Sequence, residues 1–206
     1  MKGKFITIEG IEGVGKSTNL QTIERTLAAR KIPCAVTREP GGTPLAEKIR
    51  EILLAPSSEP MSVLAELLLV FAARAQHVEA LIRPKIEAGT WVVCDRFTDS
   101  TYAYQGGGRG IDPAIIASIE QVALDGFEPD LTILLDLPVE TSARRARERG
   151  EADRFEGEDA RFFEKVRLAF LDRARGNPRF VLIDASQDIE TVGTCVADAI
   201  TRLIEQ

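Results

Sequence analysis

Residues 10–17 read Gly10-Ile11-Glu12-Gly13-Val14-Gly15-Lys16-Ser17, the pattern G-x-x-x-x-G-K-[ST], and no other stretch narrows the possible folds of this chain as far. The pattern has meaning only where a strand feeds a helix through a glycine-rich turn. That context is present. Phe5-Ile6-Thr7-Ile8 is a β-rich run, and 17–30 carries Leu20, Ile23 and Leu27 at helical spacing. Glycines let the backbone curl around a β-phosphate with its N–H groups inward, and the helix aims its positive dipole end at the same point. Lys16 is suited to neutralise the β- and γ-phosphates, and the Ser17 hydroxyl to ligate a Mg²⁺ ion bridging them. The plain alternative is a glycine-rich turn with an exposed lysine, which the strand and helix flanks argue against. The loop handles only a phosphate donor, so it does not choose between transfer to an acceptor, hydrolysis and a nucleotide-dependent switch.

The rest of the chain extends the same alternation. Cys34-Ala35-Val36-Thr37, Trp91-Val92-Val93-Cys94, Leu131-Thr132-Ile133-Leu134-Leu135 and Phe180-Val181-Leu182-Ile183 read as strands, the last three as continuous apolar runs typical of a parallel sheet covered on both faces. Helices are predicted over 43–54, 62–88, 112–125, 139–149, 157–175 and 188–204. Gly89 is expected to end the long one as a left-handed cap, Arg83-Pro84 to kink it, and Asp112-Pro113 to start its own with an N-cap and a first-turn proline. Five strands alternating with helices predict a three-layer α/β fold with right-handed crossovers, and 206 residues with 44% hydrophobic side chains predict one domain over 1–206. A net charge of −6 speaks against a nucleic-acid surface. Cys34, Cys94 and Cys195 form no CxxC pair and are expected to be reduced, as core filling rather than chemistry. The chain opens without an apolar export segment, and its most apolar stretch, 63–73, contains Glu66 and falls short of the about 20 residues a bilayer needs, so neither export nor membrane insertion is expected.

Three further segments put charge where open α/β sheets place ligands, at the ends of strands. Thr37-Arg38-Glu39-Pro40-Gly41-Gly42-Thr43 is a shaped loop after the second strand. Asp95-Arg96-Phe97 ends the third. Arg144-Arg145-Ala146-Arg147-Glu148-Arg149-Gly150-Glu151-Ala152-Asp153-Arg154 interleaves five arginines with acids and, on charge pattern alone, could equally be a solvated helix end. With Phe71 and Arg74 on the long helix, these motifs occur in the order found in the thymidylate kinases, and the resemblance covers essentially the whole chain. It implies a P-loop nucleoside monophosphate kinase fold, with a five-stranded parallel sheet of order 2-3-1-4-5 and an arginine-rich lid at about 144–157. It further implies ATP with Mg²⁺ as donor, dTMP as acceptor, dTDP and ADP as products in dTTP biosynthesis, and a cytoplasmic homodimer.

Residue roles follow from the resemblance one position at a time. The loop 10–17 together with Thr18 binds ATP, and Lys16 assists transfer. Ser17 and Asp95 serve the metal. Arg38 and Arg96 hold the acceptor phosphate, for which a planar guanidinium fork is suited. Phe71 lies against the thymine ring, although apolar periodicity alone reads it as core; Arg74, on the same helix face, donates to a thymine carbonyl. Thr101 meets the pyrimidine edge, Tyr104 sits under the sugar, and Glu12 reaches the sugar's 3′-hydroxyl or its water. Some relatives carry an arginine where this chain has Gly13. The resemblance therefore assigns the catalytic arginine to the lid, as Arg149 or Arg154, with Ala185 to Gln187 near the adenine. His77 reads as structural and Gly106-Gly107-Gly108-Arg109 as a plain loop. The rivals are a P-loop kinase for another nucleoside monophosphate and, with less support, a P-loop ATPase or switch, for which no N-K-x-D motif is present.

Overall fold

The computed structural model describes residues 2–55, 59–149 and 158–206, with 148 and 149 as backbone. Five strands, β1 (Phe5–Glu9), β2 (Cys34–Arg38), β3 (Trp91–Asp95), β4 (Leu131–Asp136) and β5 (Phe180–Asp184), pair in parallel in the order β2-β3-β1-β4-β5, as the resemblance implies. Their register sets Ile8 and Arg38 level with Asp95. Glu9, Asp95 and Arg38 therefore end at one edge of the sheet, which is where the charged motifs converge. The middle strand is buried throughout, whereas the outer two expose Val36 and Leu182 because each has a neighbour on one side only.

Helices cover both faces. On one, α1 (Lys16–Ala29) and α9 (Ile189–Ile204) pack on the core built by Ile6, Ile8, Ile133 and Leu135; α8 (Ala160–Ala174) lies on the opposite face, where Arg167 binds Asp136 and Arg173 binds Asp99. α9 buries Val192, Val196, Ala199, Ile200 and Leu203, a helical stripe whose larger members each contribute about 1.5–3 kcal/mol of apolar burial. On the other, α3 (Val63–His77) continues through a π-helical turn, Val78–Ile82, into α4 (Arg83–Glu87). Pro84 has no N–H to give and its ring crowds the preceding carbonyls, so the predicted kink takes the form of that widened turn. Gly89 follows at φ 84°, the expected left-handed cap.

α2 (Pro44–Leu54) is capped by Thr43, and α6 (Pro113–Leu124) starts as predicted, with the Asp112 carboxylate accepting from the Ala114 amide. α7 (Val139–Arg149) matches its predicted bounds. The region after β3 departs from the sequence reading. α5 (Thr98–Thr101) runs into a π-helical segment, Tyr102–Gly108, where a plain loop is expected over 106–109. A Cβ on Gly107 would lie 2.6 Å from Ala169 Cβ, and one on Gly108 would lie 2.4 Å from the Phe162 ring, so these glycines allow α8 to approach closely. The cysteines are free as expected, but only Cys94 is core; Cys195 is exposed.

Candidate active site

At the carboxyl edge of the sheet the phosphate loop is held by its own geometry. Gly10, Gly13 and Gly15 take φ of 137°, 75° and 92°, values costly for residues with a Cβ, and α1 begins with no side-chain cap over its first amides. Lys16 curls across the loop, its Nζ donating to the Gly10 and Ile11 carbonyls at 3.1 and 3.0 Å. Burial, and then the Arg96 charge, lower its ammonium to about 8. Ser17 and Thr18 occupy the exposed first turn.

Glu12 leaves this loop toward a neighbouring cleft of roughly 730 Å³, open mouth included. Its Oε1 accepts from Arg96 Nη2 at 2.8 Å and from the Tyr104 hydroxyl at 2.6 Å. Burial alone would raise this carboxyl; the Arg96 and Lys16 charges and the Tyr104 hydrogen bond hold it below the usual carboxylate range. Arg96 has a left-handed backbone, φ 69°, and its Nη1 donates to the Gly10 carbonyl and to Ser100 Oγ. Beneath it lies Glu9, completely buried, which accepts from the Phe97 amide at 2.7 Å and from Ser100 Oγ at 2.6 Å. Asp95 lines the cleft, and its Oδ1 is buried without a hydrogen-bond partner among the described residues. An unpaired carboxylate oxygen beside a phosphate loop fits a cation or its water shell, so the donor set suits Mg²⁺.

Arg74 forms the far wall. It is 2% exposed and donates from Nε to Glu39 at 2.6 Å, from Nη1 to Thr101 Oγ1 at 2.8 Å and from Nη2 to the Phe97 carbonyl at 3.0 Å. Glu39 is held in turn by His77 Nδ1 at 3.0 Å, and His77 Nε2 meets Thr37 Oγ1 at 2.8 Å, which gives the histidine its predicted structural part. A Cβ on Gly42 would lie 2.3 Å from His77 Nε2, which accounts for the glycine in the Pro40-Gly41-Gly42 turn.

Phe71 is buried on α3. It packs with Leu67, Tyr102 and Ile116 and lies 5.0 Å beneath the Arg74 guanidinium, while Val70 lines the cleft. One residue is about 100° of helix, and α3 is apolar nearly all round, so periodicity could not choose between the two. Arg38, Thr101 and Tyr104 do line the cleft, with Arg38 half-exposed and tethered to Glu47 at 3.0 Å. Gln105 also lines it, is 3% exposed and donates from Nε2 to the buried Glu66. It escapes the sequence reading, although Thr101, Tyr104 and Gln105 at i, i+3 and i+4 share a helix face and would have pointed to it had the segment been read as helical.

α7 sits on the phosphate loop. Ser142 Oγ donates to the Glu12 carbonyl, and a Cβ on Gly13 would fall 2.4 Å from the Ser142 carbonyl oxygen. The position where some relatives carry an arginine is therefore closed by backbone contact. Arg145 Nη1 donates to the Ala185 carbonyl at 3.1 Å and ties α7 to the segment assigned to the adenine. Of the lid candidates, the side chain of Arg149 and all of Arg154 lie outside the described residues.

A phosphate loop opening into a cleft lined by guanidinium, hydroxyl and amide groups, on a parallel sheet of this order, defines a P-loop nucleoside monophosphate kinase. The thymidylate kinase family model matches residues 8–196. A thymidylate kinase of Pseudomonas syringae pv. syringae is 53% identical over all of this chain and 98% of its own length, and one of Chromohalobacter salexigens is 56% identical over 97% of this chain and 96% of its own. The chain belongs to the thymidylate kinase family. No helix among the described residues is long and apolar enough to cross a membrane.

Proposed function

We propose that this chain, acting as one catalytic unit over 1–206 in the cytoplasm, transfers the γ-phosphoryl group of ATP to dTMP, giving ADP and dTDP for dTTP synthesis. The observation that carries this reading is the junction of loop and cleft. Glu12 belongs to the phosphate loop by sequence and to the cleft by its bonds to Arg96 and Tyr104, so one loop serves donor and acceptor.

The cleft suits a thymine. Beyond its protein bonds Arg74 keeps one N–H on each terminal nitrogen, fit for a pyrimidine carbonyl. Gln105, with its amide nitrogen committed to Glu66, offers its carbonyl oxygen to an imide N–H. Val70 and Leu54 supply the apolar wall, and Phe71 acts one layer back, under Arg74. Tyr104, locked on Glu12, underlies the sugar. Arg38 and Arg96 face the acceptor phosphate, where burial opposes the Arg96 charge but Tyr104, Glu12, Asp95 and Glu9 raise its pKa, so it is a permanent cation.

A dTMP phosphate oxygen is already nucleophilic at neutral pH, so catalysis rests on alignment and charge neutralisation rather than on a strong base. Lys16 and the loop amides bind the donor phosphates, and a lid arginine, Arg149 or Arg154, stabilises the group in flight. Ser17 and Asp95 would hold Mg²⁺, which supplies charge neutralisation between the β- and γ-phosphates when bound. ADP release measured with dTMP, dUMP, dCMP, dGMP and dAMP in turn is expected to be fastest with dTMP; turnover indifferent to dTMP would overturn the assignment.

The same reading includes a homodimer. α2, α3 and α6 lie side by side and expose Leu45 and Ile52, Leu64 and Leu68, and Ile115 and Val122, an apolar strip of a kind that protein interfaces cover.

A further inference from the structure

Arg96 is a largely enclosed cation of the cleft, and its backbone lies in the left-handed region that residues with a Cβ avoid. Such a conformation persists only where the surroundings over-determine it. Two consecutive amides do so here. Arg96 N–H donates to the Ile8 carbonyl at 3.0 Å, and Phe97 N–H donates to Glu9 Oε1 at 2.7 Å. The second oxygen of Glu9 acts on the side chain, because Oε2 accepts from Ser100 Oγ at 2.6 Å and Ser100 Oγ accepts from Arg96 Nη1 at 3.1 Å. One carboxylate thus fixes both the turn that presents Arg96 and the hydroxyl that aims its guanidinium. It reaches neither cleft nor solvent, being 0% exposed.

We propose that Glu9 is a positioning residue of the phosphoryl-transfer site, a strut from the last residue of β1 through Ser100 that sets the backbone turn and the guanidinium orientation of Arg96. Its functional consequence rests on the reading that Arg96 holds the acceptor phosphate. A merely structural anion would serve as well with any two donors, but these donors are the amide immediately after Arg96 and the hydroxyl bonded to it. Burying a carboxylate in this place is costly, and burial first, with Asp99 second, raises its pKa to about 7. A neutral apolar residue would avoid that cost and could not hold the turn.

Glu9→Gln tests the strut. The amide oxygen can keep the Phe97 N–H, but its NH2 meets Ser100 Oγ as a donor where the carboxylate accepted, so Ser100 is turned away from Arg96. In the purified full chain, kcat/KM for dTMP should fall at least about tenfold while KM for ATP stays within about twofold, the split that misplacing an acceptor-side group predicts. Ser100→Ala should fall in the same direction, and the double variant should be no worse than Glu9→Gln alone, since both cut one strut. Unchanged acceptor kinetics in Glu9→Gln, or losses that multiply in the double variant, would overturn the proposal. Should Glu9→Gln fail to fold, Ser100→Ala decides alone, with wild-type acceptor kinetics counting against the strut. A crystal structure of the variant reads the turn whatever the substrate. A wild-type chain that ignores dTMP sinks the functional reading, whereas an Arg96 turn unchanged in the variant sinks the strut.

Discussion

Between pH 4.5 and about 7 the Glu9 carboxyl keeps in the folded chain a proton that it releases on unfolding, because burial first, and Asp99 second, raise its pKa from 4.5 to about 7. Its stabilising contribution is therefore complete below the unfolded value and is lost as the pH rises through the folded one. The charges facing it are Asp99 and Arg96, with Lys16 and the Cys94 thiol also within its field. On the order of 3 kcal/mol is at stake, which for a chain of this size is about 6–12 °C in the unfolding midpoint. Glu9→Gln removes this dependence, so its midpoint should gain on the wild type from pH 5 to pH 7; parallel melting curves over that range would contradict the shift. Arg74 supports a second expectation. Its guanidinium binds Glu39, Thr101 and the Phe97 carbonyl at once and lies between the Phe71 and Phe97 rings. An ammonium cannot reproduce that planar fork, and a missing charge strands Glu39. Arg74→Ala should cost about 3–5 kcal/mol in chemical unfolding, and Arg74→Lys should keep more of the stability while losing about a hundredfold in kcat/KM for dTMP. An Arg74→Lys enzyme with wild-type kinetics would remove Arg74 from the base site.

At the scale of elements, what could be read in the sequence follows from how local its cause is. The phosphate loop, the Asp112-Pro113 start of α6 and the Gly89 cap are each decided within a few residues, and each stands where the residue pattern predicts. Buried strands announce themselves by composition. The π-helical segment Tyr102–Gly108 does not, because a run of glycines reads equally as a loose loop or as a surface pared down for a neighbour. Only the distant α8 decides, through Ala169 and Phe162. The same limit hides Gln105 behind the unread helix and hides Glu9, since nothing in a strand's alternation says which polar end residue is sealed inside. The glycines make the point testable. Gly108→Ala drives a methyl to 2.4 Å from the Phe162 ring, which meets Tyr104 edge to face and lies under Arg109, and overpacking of this kind costs about 1–3 kcal/mol. Gly106→Ala meets Ile116 Cδ1 at 3.3 Å and the Ile111 carbonyl at an ordinary 3.8 Å, and should shift the midpoint by less than about 2 °C. Scanning calorimetry of both variants that found Gly106→Ala the more damaging would return the segment to a loop.

For the molecule as a whole, the long apolar helix predicted over 62–88 divides into two uses. Val78 and Ile82 are spent inside, on the core with Phe5 and Phe97, and only the first turns of α3 turn Leu64 and Leu68 outward, between the exposed apolar residues of α2 and α6. These helices also carry cleft residues, Leu54 on α2 and Val70 and Arg74 on α3, so a partner pressed against their outer faces would stiffen the walls that receive the acceptor. Leu64→Glu with Leu68→Glu places two carboxylates at the centre of the strip, on a surface already exposed, so the fold itself should lose less than about 1 kcal/mol. Desolvating two unpaired charges, in contrast, opposes association by several kcal/mol. Light scattering at micromolar concentration is expected to give twice the chain mass for the wild type and the chain mass for the double variant. KM for dTMP should rise in the variant and KM for ATP should stay, because the phosphate loop and α1 stand away from the strip. A wild type of single-chain mass would dispose of the dimer, and a variant that remained double would move the interface to another face.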